Sequence, residues 1–147
     1  MQAGNFLQAT AALEGDYFEK AVLLITEYNE NGAIGFVVNK KFPKTFNELN
    51  EFRHSPALPL WEGGPVDQEH LFVLHHVPHL IPNSRRIQDD LYEGGDFAET
   101  VKLLNNNTIN SQQIRMSVGY CGWDKGDLEA EIAEGSWVLL PGYSLWD

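Results

Sequence analysis

A chain of 147 residues, 43% hydrophobic and 21% charged, has the size and composition of one globular domain with a real core. Its 21 acids against 10 bases give a formal charge of −11. That balance argues against direct partners of nucleic acid or anionic membrane, because phosphate must be met by clustered Lys and Arg, and here Lys40-Lys41 and Arg85-Arg86 are only pairs.

Taken in order, Phe6 to Thr10 reads as a short strand. Val22–Tyr28 and Ala33–Asn39 follow, rich in β-branched and aromatic residues and separated by Asn29-Glu30-Asn31-Gly32. Asn-Gly supplies the positive φ of a tight turn, so the two segments are expected to pair as an antiparallel hairpin. Both are apolar nearly throughout, which suits strands covered on two faces. Thr45-Phe46-Asn47-Glu48 has the form of a capping box and predicts a short helix ending near Arg53. Pro56 and Pro59 break the chain, Gly63-Gly64-Pro65 is a turn, and Leu71–His75 is a strand. Val77 to Arg86, with two prolines and no clean period, reads as a loop.

A strand at Leu91-Tyr92 leads to a Gly94-Gly95 turn, after which Asp96 and Glu99 open a helix with Phe97, Val101 and Leu104 on one face. The run Asn105-Asn106-Asn107 ends it. Ile114–Cys121 is a strand, Gly126–Glu134 a helix with Gly135 as its stop, and Trp137–Leu140 the last strand. Mixed strands and helices with an antiparallel hairpin indicate an α+β fold. One cysteine makes no internal disulfide, the first residues have neither the basic nor the apolar part of a signal peptide, and no apolar run approaches the ~20 residues of a membrane span. A cytoplasmic protein is the expectation.

The chemistry-bearing residues are few. Cys121 precedes a helix start, but Asp124, Asp127, Glu129 and Glu131 follow it, and anionic neighbours oppose a thiolate. It is expected to be a small buried residue. Gly122 is expected to take a positive φ or allow close backbone approach, and Trp123 to bury a large apolar surface at the strand-to-helix corner. Asp124 or Asp127 would then cap the helix. His75, His76 and His79 invite a metal reading, yet Pro78 forbids a regular helix there, and adjacent strand residues face opposite ways. Glu129 and Glu131, two apart on a helix, do not face each other as an acid pair would. Gly63-Gly64-Pro65-Val66 lacks the lysine of a phosphate loop and the spacing of a dinucleotide site. No catalytic residue, metal ligand or cofactor is assigned.

The segments GDYFEKAVLLITEYNENGAIGFVVNK, WEGGPV (Trp61–Val66) and SVGYCGWDKGDLEAEI, spread in order over the whole chain, resemble the AlgH/YqgE group of bacterial proteins, commonly labelled transcriptional regulators. The resemblance implies a single domain over residues 1–147 with a bifurcated, largely antiparallel, barrel-like sheet flanked by short helices, and no established enzyme activity. Departures from the family pattern are Ala11 and Lys41 where proline is common, Ala21 where serine is frequent, and Asp127 in place of glutamine. Relatives also continue past the position of Asp147. The resemblance points to the Gly63–Val66 loop and the Gly119–Trp123 corner as walls of any ligand site, with Gly63, Gly64, Pro65, Gly119, Tyr120, Gly122 and Trp123 as its residues. The functional expectation is a small binding or regulatory protein acting through a protein or small-molecule partner. The alternatives are an enzyme with a pocket between those two segments, and a transcriptional regulator acting indirectly.

Overall fold

The computed structural model describes residues 1–146. Its ten strands in chain order are β1 (Phe6–Ala9), β2 (Val22–Asn29), β3 (Gly32–Val37), β4 (Lys41–Thr45), β5 (Pro59–Glu62), β6 (Val66–His75), β7 (Ser84–Gln88), β8 (Leu91–Gly94), β9 (Ile114–Asp124) and β10 (Trp137–Leu139). Two α-helices interrupt them, α1 (Phe97–Asn105) before β9 and α2 (Asp127–Ala133) after it. The main path of the sheet runs β10-β1-β2-β3-β9-β6-β8-β7.

Every pairing is antiparallel except that of β5 with β9. This exception makes the sheet fork. Strand β9 pairs with β6 through Ile114–Val118 and Tyr120. It also pairs in parallel with β5 through Met116–Val118, and then with β3 through Cys121–Asp124. Gly63 sits in the crotch. Its N–H donates to the Val118 carbonyl at 2.9 Å, and its own carbonyl accepts from the Val37 N–H at 2.8 Å. The curled α+β architecture is the one the sequence implies.

The hairpin of β2 and β3 forms with Asn29 opposite Gly32. Only Gly32 has a positive φ there; Asn31 does not, and its N–H is instead held by the Asn29 side chain at 2.8 Å. Successive β2 residues face different cores, as expected for a strand covered on both sides. Leu23 and Ile25 join Leu7, Val37, Leu128 and Trp137 beneath α2. Val22 and Leu24 join Phe36, Val38, Leu74 and Leu91, covered by Leu140, Tyr143, Leu145 and Trp146 of the final segment. A third cluster, including Phe46, Leu60, Val73, Leu104 and Met116, lies beneath α1.

Several local expectations are corrected. The capping box at Thr45 and Glu48 is present, but it opens two 3-10 turns, Phe46–Glu48 and Asn50–Phe52, rather than an α-helix. Strands β4 and β5 occupy proline-bearing segments, with Pro43 inside β4 and Pro59 at the first position of β5, both places where a sheet tolerates a missing donor. Strand β7 begins inside the segment read as a loop and runs two residues past its end, and β6 begins at Val66 rather than Leu71 through an irregular, exposed stretch. Helix α1 is capped as expected, the Asp96 carboxylate accepting from the Glu99 N–H at 3.0 Å. Helix α2 is not: its N-cap is Gly126, with no side-chain cap bond, and Asp127 lies in the first turn. Among the described residues no helix is long and apolar enough to cross a membrane.

Candidate functional site

The loop after β5 and the second half of β9, the two segments singled out by the family resemblance, lie backbone against backbone. Gly63 and Gly64 are buried, and a Cβ on Gly64 would overlap the Tyr120 backbone. Gly119 has φ +72°, and a Cβ there would run into the carbonyls of Gly64 and Val66. Three glycines therefore interlock two chain segments that any larger residue would push apart. The role expected of Gly122 belongs to Gly119. Gly122 is exposed with an extended backbone, and a Cβ there would meet nothing closer than the Tyr120 ring at 3.7 Å.

Beside this junction lies an open cleft of about 330 Å³, lined by Phe18, Pro65, Val66, Cys121, Gly122, Trp123, Asp124, Asp127 and Glu131. Of the residues expected at a site, Pro65, Gly122 and Trp123 line it. Gly63, Gly64 and Gly119 build the fork behind it, and Tyr120 packs edge-on against Phe72 on the other face, ring centroids 5.6 Å apart. Trp123 lies within β9 and is half-buried, not enclosed at a strand-to-helix corner.

Glu131 organises the aromatic wall. Its carboxylate accepts from the indole N–H of Trp123 at 3.2 Å and of Trp137 at 3.0 Å. Phe18 lies between the two indoles, with ring centroids 6.3 Å from Trp123 and 5.6 Å from Trp137. Glu129 faces elsewhere and accepts from the Tyr28 hydroxyl at 2.6 Å, a bond that holds its carboxyl below the ordinary range. The carboxylates of Asp124 and Asp127 also border the cleft, and no ion pair engages them among the described residues. The sequence contains these acids openly, whereas Phe18 reaches the cleft from a turn more than a hundred residues away and carries no local signal.

Cys121 is buried, its thiol 3.3 Å from the Gly63 carbonyl. Burial pushes its pKa up to about 12, Glu62 adding to the rise and the Val37 backbone opposing it. Such a thiol is a hydrogen-bond donor to the fork and no nucleophile at neutral pH. Next to Phe18 and Cys121, Glu62 accepts from the Tyr17 hydroxyl at 2.7 Å and from the Gln68 amide, and the Lys40 ammonium donates to the Tyr17 carbonyl at 2.7 Å.

The histidines diverge. The buried His75 accepts the Val77 N–H at its Nδ1, His76 meets the Gln112 carbonyl at 2.9 Å, and His79 is exposed. No group of three or more His, Cys, Asp or Glu among the described residues is placed to hold a metal ion. A second, larger concavity of about 640 Å³, floored by Phe42, Leu49, Phe52, Leu71 and Phe97, opens between the 3-10 turns, β6 and α1. Its residues lie on five separate segments, and the sequence does not suggest it.

These features define an α+β protein built on a forked, largely antiparallel sheet with an open acidic–aromatic cleft at the fork. The chain belongs to the AlgH-like family, which it matches over residues 6–145. A UPF0301 protein of Parabacteroides distasonis is 36% identical over 138 residues, covering 92% of this chain and 70% of that protein. One of Chlorobium luteolum is 38% identical over 137 residues, covering 93% and 72%. The solution structure of the AlgH protein from Pseudomonas aeruginosa has a TM-score of 0.79 at 26% identity, over 99% of this chain and 80% of that one. A Corynebacterium diphtheriae crystal structure with the same TM-score of 0.79 is 21% identical and shares the fold.

Proposed function

We propose that this protein works in the cytoplasm by binding a partner, not by catalysis, and that the cleft at the fork receives a cationic group of that partner. The observation that carries this reading is the lining of the cleft: an indole held in place by Glu131, beside the carboxylates of Asp124 and Asp127, which no ion pair engages among the described residues. An aromatic face with carboxylates around it suits an ammonium or guanidinium. The cleft is open, and the thiol within it is protonated at neutral pH, which favours binding over covalent chemistry.

A direct DNA reader is the poorer reading. Lys102 is the only base on α1, and α2 has none. A groove-reading element needs side chains that reach base edges and charge that tolerates phosphate. Any effect on transcription would run through a protein partner.

The test is affinity capture from native cell extract with wild-type protein and with Asp124→Asn/Asp127→Asn, which keeps the shape of the cleft and removes its charge. The expected result is a discrete partner retained by wild type and lost by the variant. Identical sets of captured proteins would remove the cleft from the binding surface.

A further inference from the structure

Arg115 is the only Lys or Arg among the described residues that folds into the interior. It is 8% exposed, on β9 beside Leu74 of β6. Its guanidinium carbon stands 3.9 Å from the centroid of the Trp61 ring, and Nη2 donates to the Val38 carbonyl at 2.5 Å. No acid pairs with it. The ion pairs among the described residues are His70–Asp67, Arg85–Glu93 and Lys102–Glu99. In a chain with 21 acids for 10 bases, partners for a cation are abundant, yet its one buried guanidinium has none.

A buried charge is ordinarily paired, because one carbonyl and a π face replace only part of the water it gives up. Burial draws the Arg115 pKa down to about 10, Tyr143 opposing, so the group stays cationic at neutral pH. Its donors are mostly unspent. A guanidinium has five N–H groups and two edges that can each grip a carboxylate, and Nη2 contributes one donor to each edge. The bond to Val38 therefore occupies one edge and leaves the other whole. The side-chain polar atoms sealed from solvent without a partner are His75 Nε2 and Gln88 Oε1, so the unused nitrogens of Arg115 still reach solvent.

The neighbours are of one kind. Lys41, exposed and opposite Trp61 in β4, puts its ammonium 5.6 Å from the same ring centroid and enters no ion pair among the described residues. Ser117 brings a buried hydroxyl to the same face of β9, in register with Trp61. Two cations thus flank one indole with no acid between them. We infer that this branch of the sheet binds a small carboxylate, gripped by the free edge of Arg115 over Trp61, with Lys41 at the entrance. A flat, singly charged group suits a fork less than a tenth exposed, and the field of a chain at −11 repels a dianion more strongly. The site lies at the opposite end of β9 from Asp124 and is independent of the cleft proposed above.

The probes are benzoate, its neutral counterpart benzamide, and inorganic phosphate, all at constant ionic strength. Binding is read by NMR from the Arg115 Nε–H and Trp61 indole N–H resonances, assigned with Arg115→Lys and Trp61→Phe. Benzoate is expected to move both resonances saturably, and about tenfold more tightly than benzamide or phosphate. Arg115→Lys keeps the charge but loses the fork and should weaken benzoate about tenfold. Lys41→Gln, at an exposed position, should weaken it about threefold. Asp124→Asn/Asp127→Asn in the cleft should leave it within about twofold. Acetyl-Leu-Phe with a free carboxyl binding more tightly than benzoate, its amide not binding, would assign the carboxylate to a polypeptide end and support the site. Absence of saturable movement, or equal binding of benzamide, would overturn the inference. Tighter binding of phosphate would overturn the carboxylate assignment. Should Arg115→Lys fail to fold, the benzoate–benzamide contrast and Lys41→Gln still decide.

Discussion

Gly64 and Tyr120 lie backbone to backbone across the fork, with no room between them for a methyl group. Gly64→Ala is therefore expected to destabilise the fold by about 2–4 kcal/mol, because the clash is with main chain that cannot rotate away. Gly119→Ala adds to a similar clash the cost of a left-handed backbone, ~1–2 kcal/mol. Gly122→Ala, exposed and extended, should change stability by less than about 0.5 kcal/mol. Urea denaturation midpoints of the three variants check this order, and an equal effect at Gly122 would contradict it.

The two tryptophans bound to Glu131 differ in burial, and their truncations should differ accordingly. Trp137 is fully buried, so Trp137→Ala should cost about 3–5 kcal/mol. The half-buried Trp123 should cost less, about 2 kcal/mol on its smaller buried area. Glu131→Ala leaves the Trp137 N–H buried without an acceptor and should cost about 1–3 kcal/mol, with altered tryptophan emission. Thermal melts followed by fluorescence test the ranking.

What the sequence discloses and what it hides follow from where the physical signal resides. The β2–β3 hairpin is legible because both strands are apolar on both faces and an Asn-Gly turn punctuates them. Helix α1 is legible from a cap and one apolar face. Strands β4, β5 and β7 are not: they lie at edges or branch points, β4 and β5 contain Pro43 and Pro59, and β7 starts two residues after Pro82 in a segment without a clean period. Pairing across the chain overrides local propensity, most directly where Leu60 sits beside Met116 in a parallel register. The meeting of the Gly63–Val66 loop with the Gly119–Trp123 segment followed from resemblance alone. Nothing local to Phe18 places it between Trp123 and Trp137, and nothing in a glycine states whether it turns the chain or admits a neighbour.

Cys121 should resist labelling in the folded protein. With its pKa raised to about 12 by burial, the thiolate fraction at neutral pH is negligible. Reaction with a thiol reagent should need unfolding, so its rate should rise steeply through the urea transition. Cys121→Ser preserves a donor toward the Gly63 carbonyl and should stay folded. The sign at alkaline pH also follows: the unfolded thiol ionises from about 8.5 while the folded one stays protonated, so its stabilisation fades as pH rises through that window toward 12. Fast labelling of the native protein at pH 7 would refute the assignment.

His75 sets the behaviour on the acid side. Its ring is buried and stacked on Tyr92 with centroids 5.8 Å apart, and Nδ1 accepts the Val77 N–H at 3.1 Å. The proton of the neutral ring therefore sits on Nε2, which finds no hydrogen-bond partner of normal geometry. Burial and then the neighbouring His76 draw the pKa down to about 4, the Gly94 backbone opposing. Between about 6.5 and 4 the unfolded chain binds this proton and the folded one does not, so stability rises with pH across that window and is lost as pH falls. The full effect is bounded at roughly 3 kcal/mol. Glu93, whose carboxyl burial raises above its ordinary value despite Arg85, works in the opposite direction by binding a proton earlier when folded. Comparison with His75→Asn isolates the imidazole, since the shorter amide oxygen can still accept the Val77 N–H two residues on. Urea midpoints at pH 7, 6 and 5 should fall more steeply for wild type than for His75→Asn, with the two curves converging toward low pH. Parallel curves would mean that His75 is protonated in the folded state with a partner, and that its burial does not govern acid sensitivity.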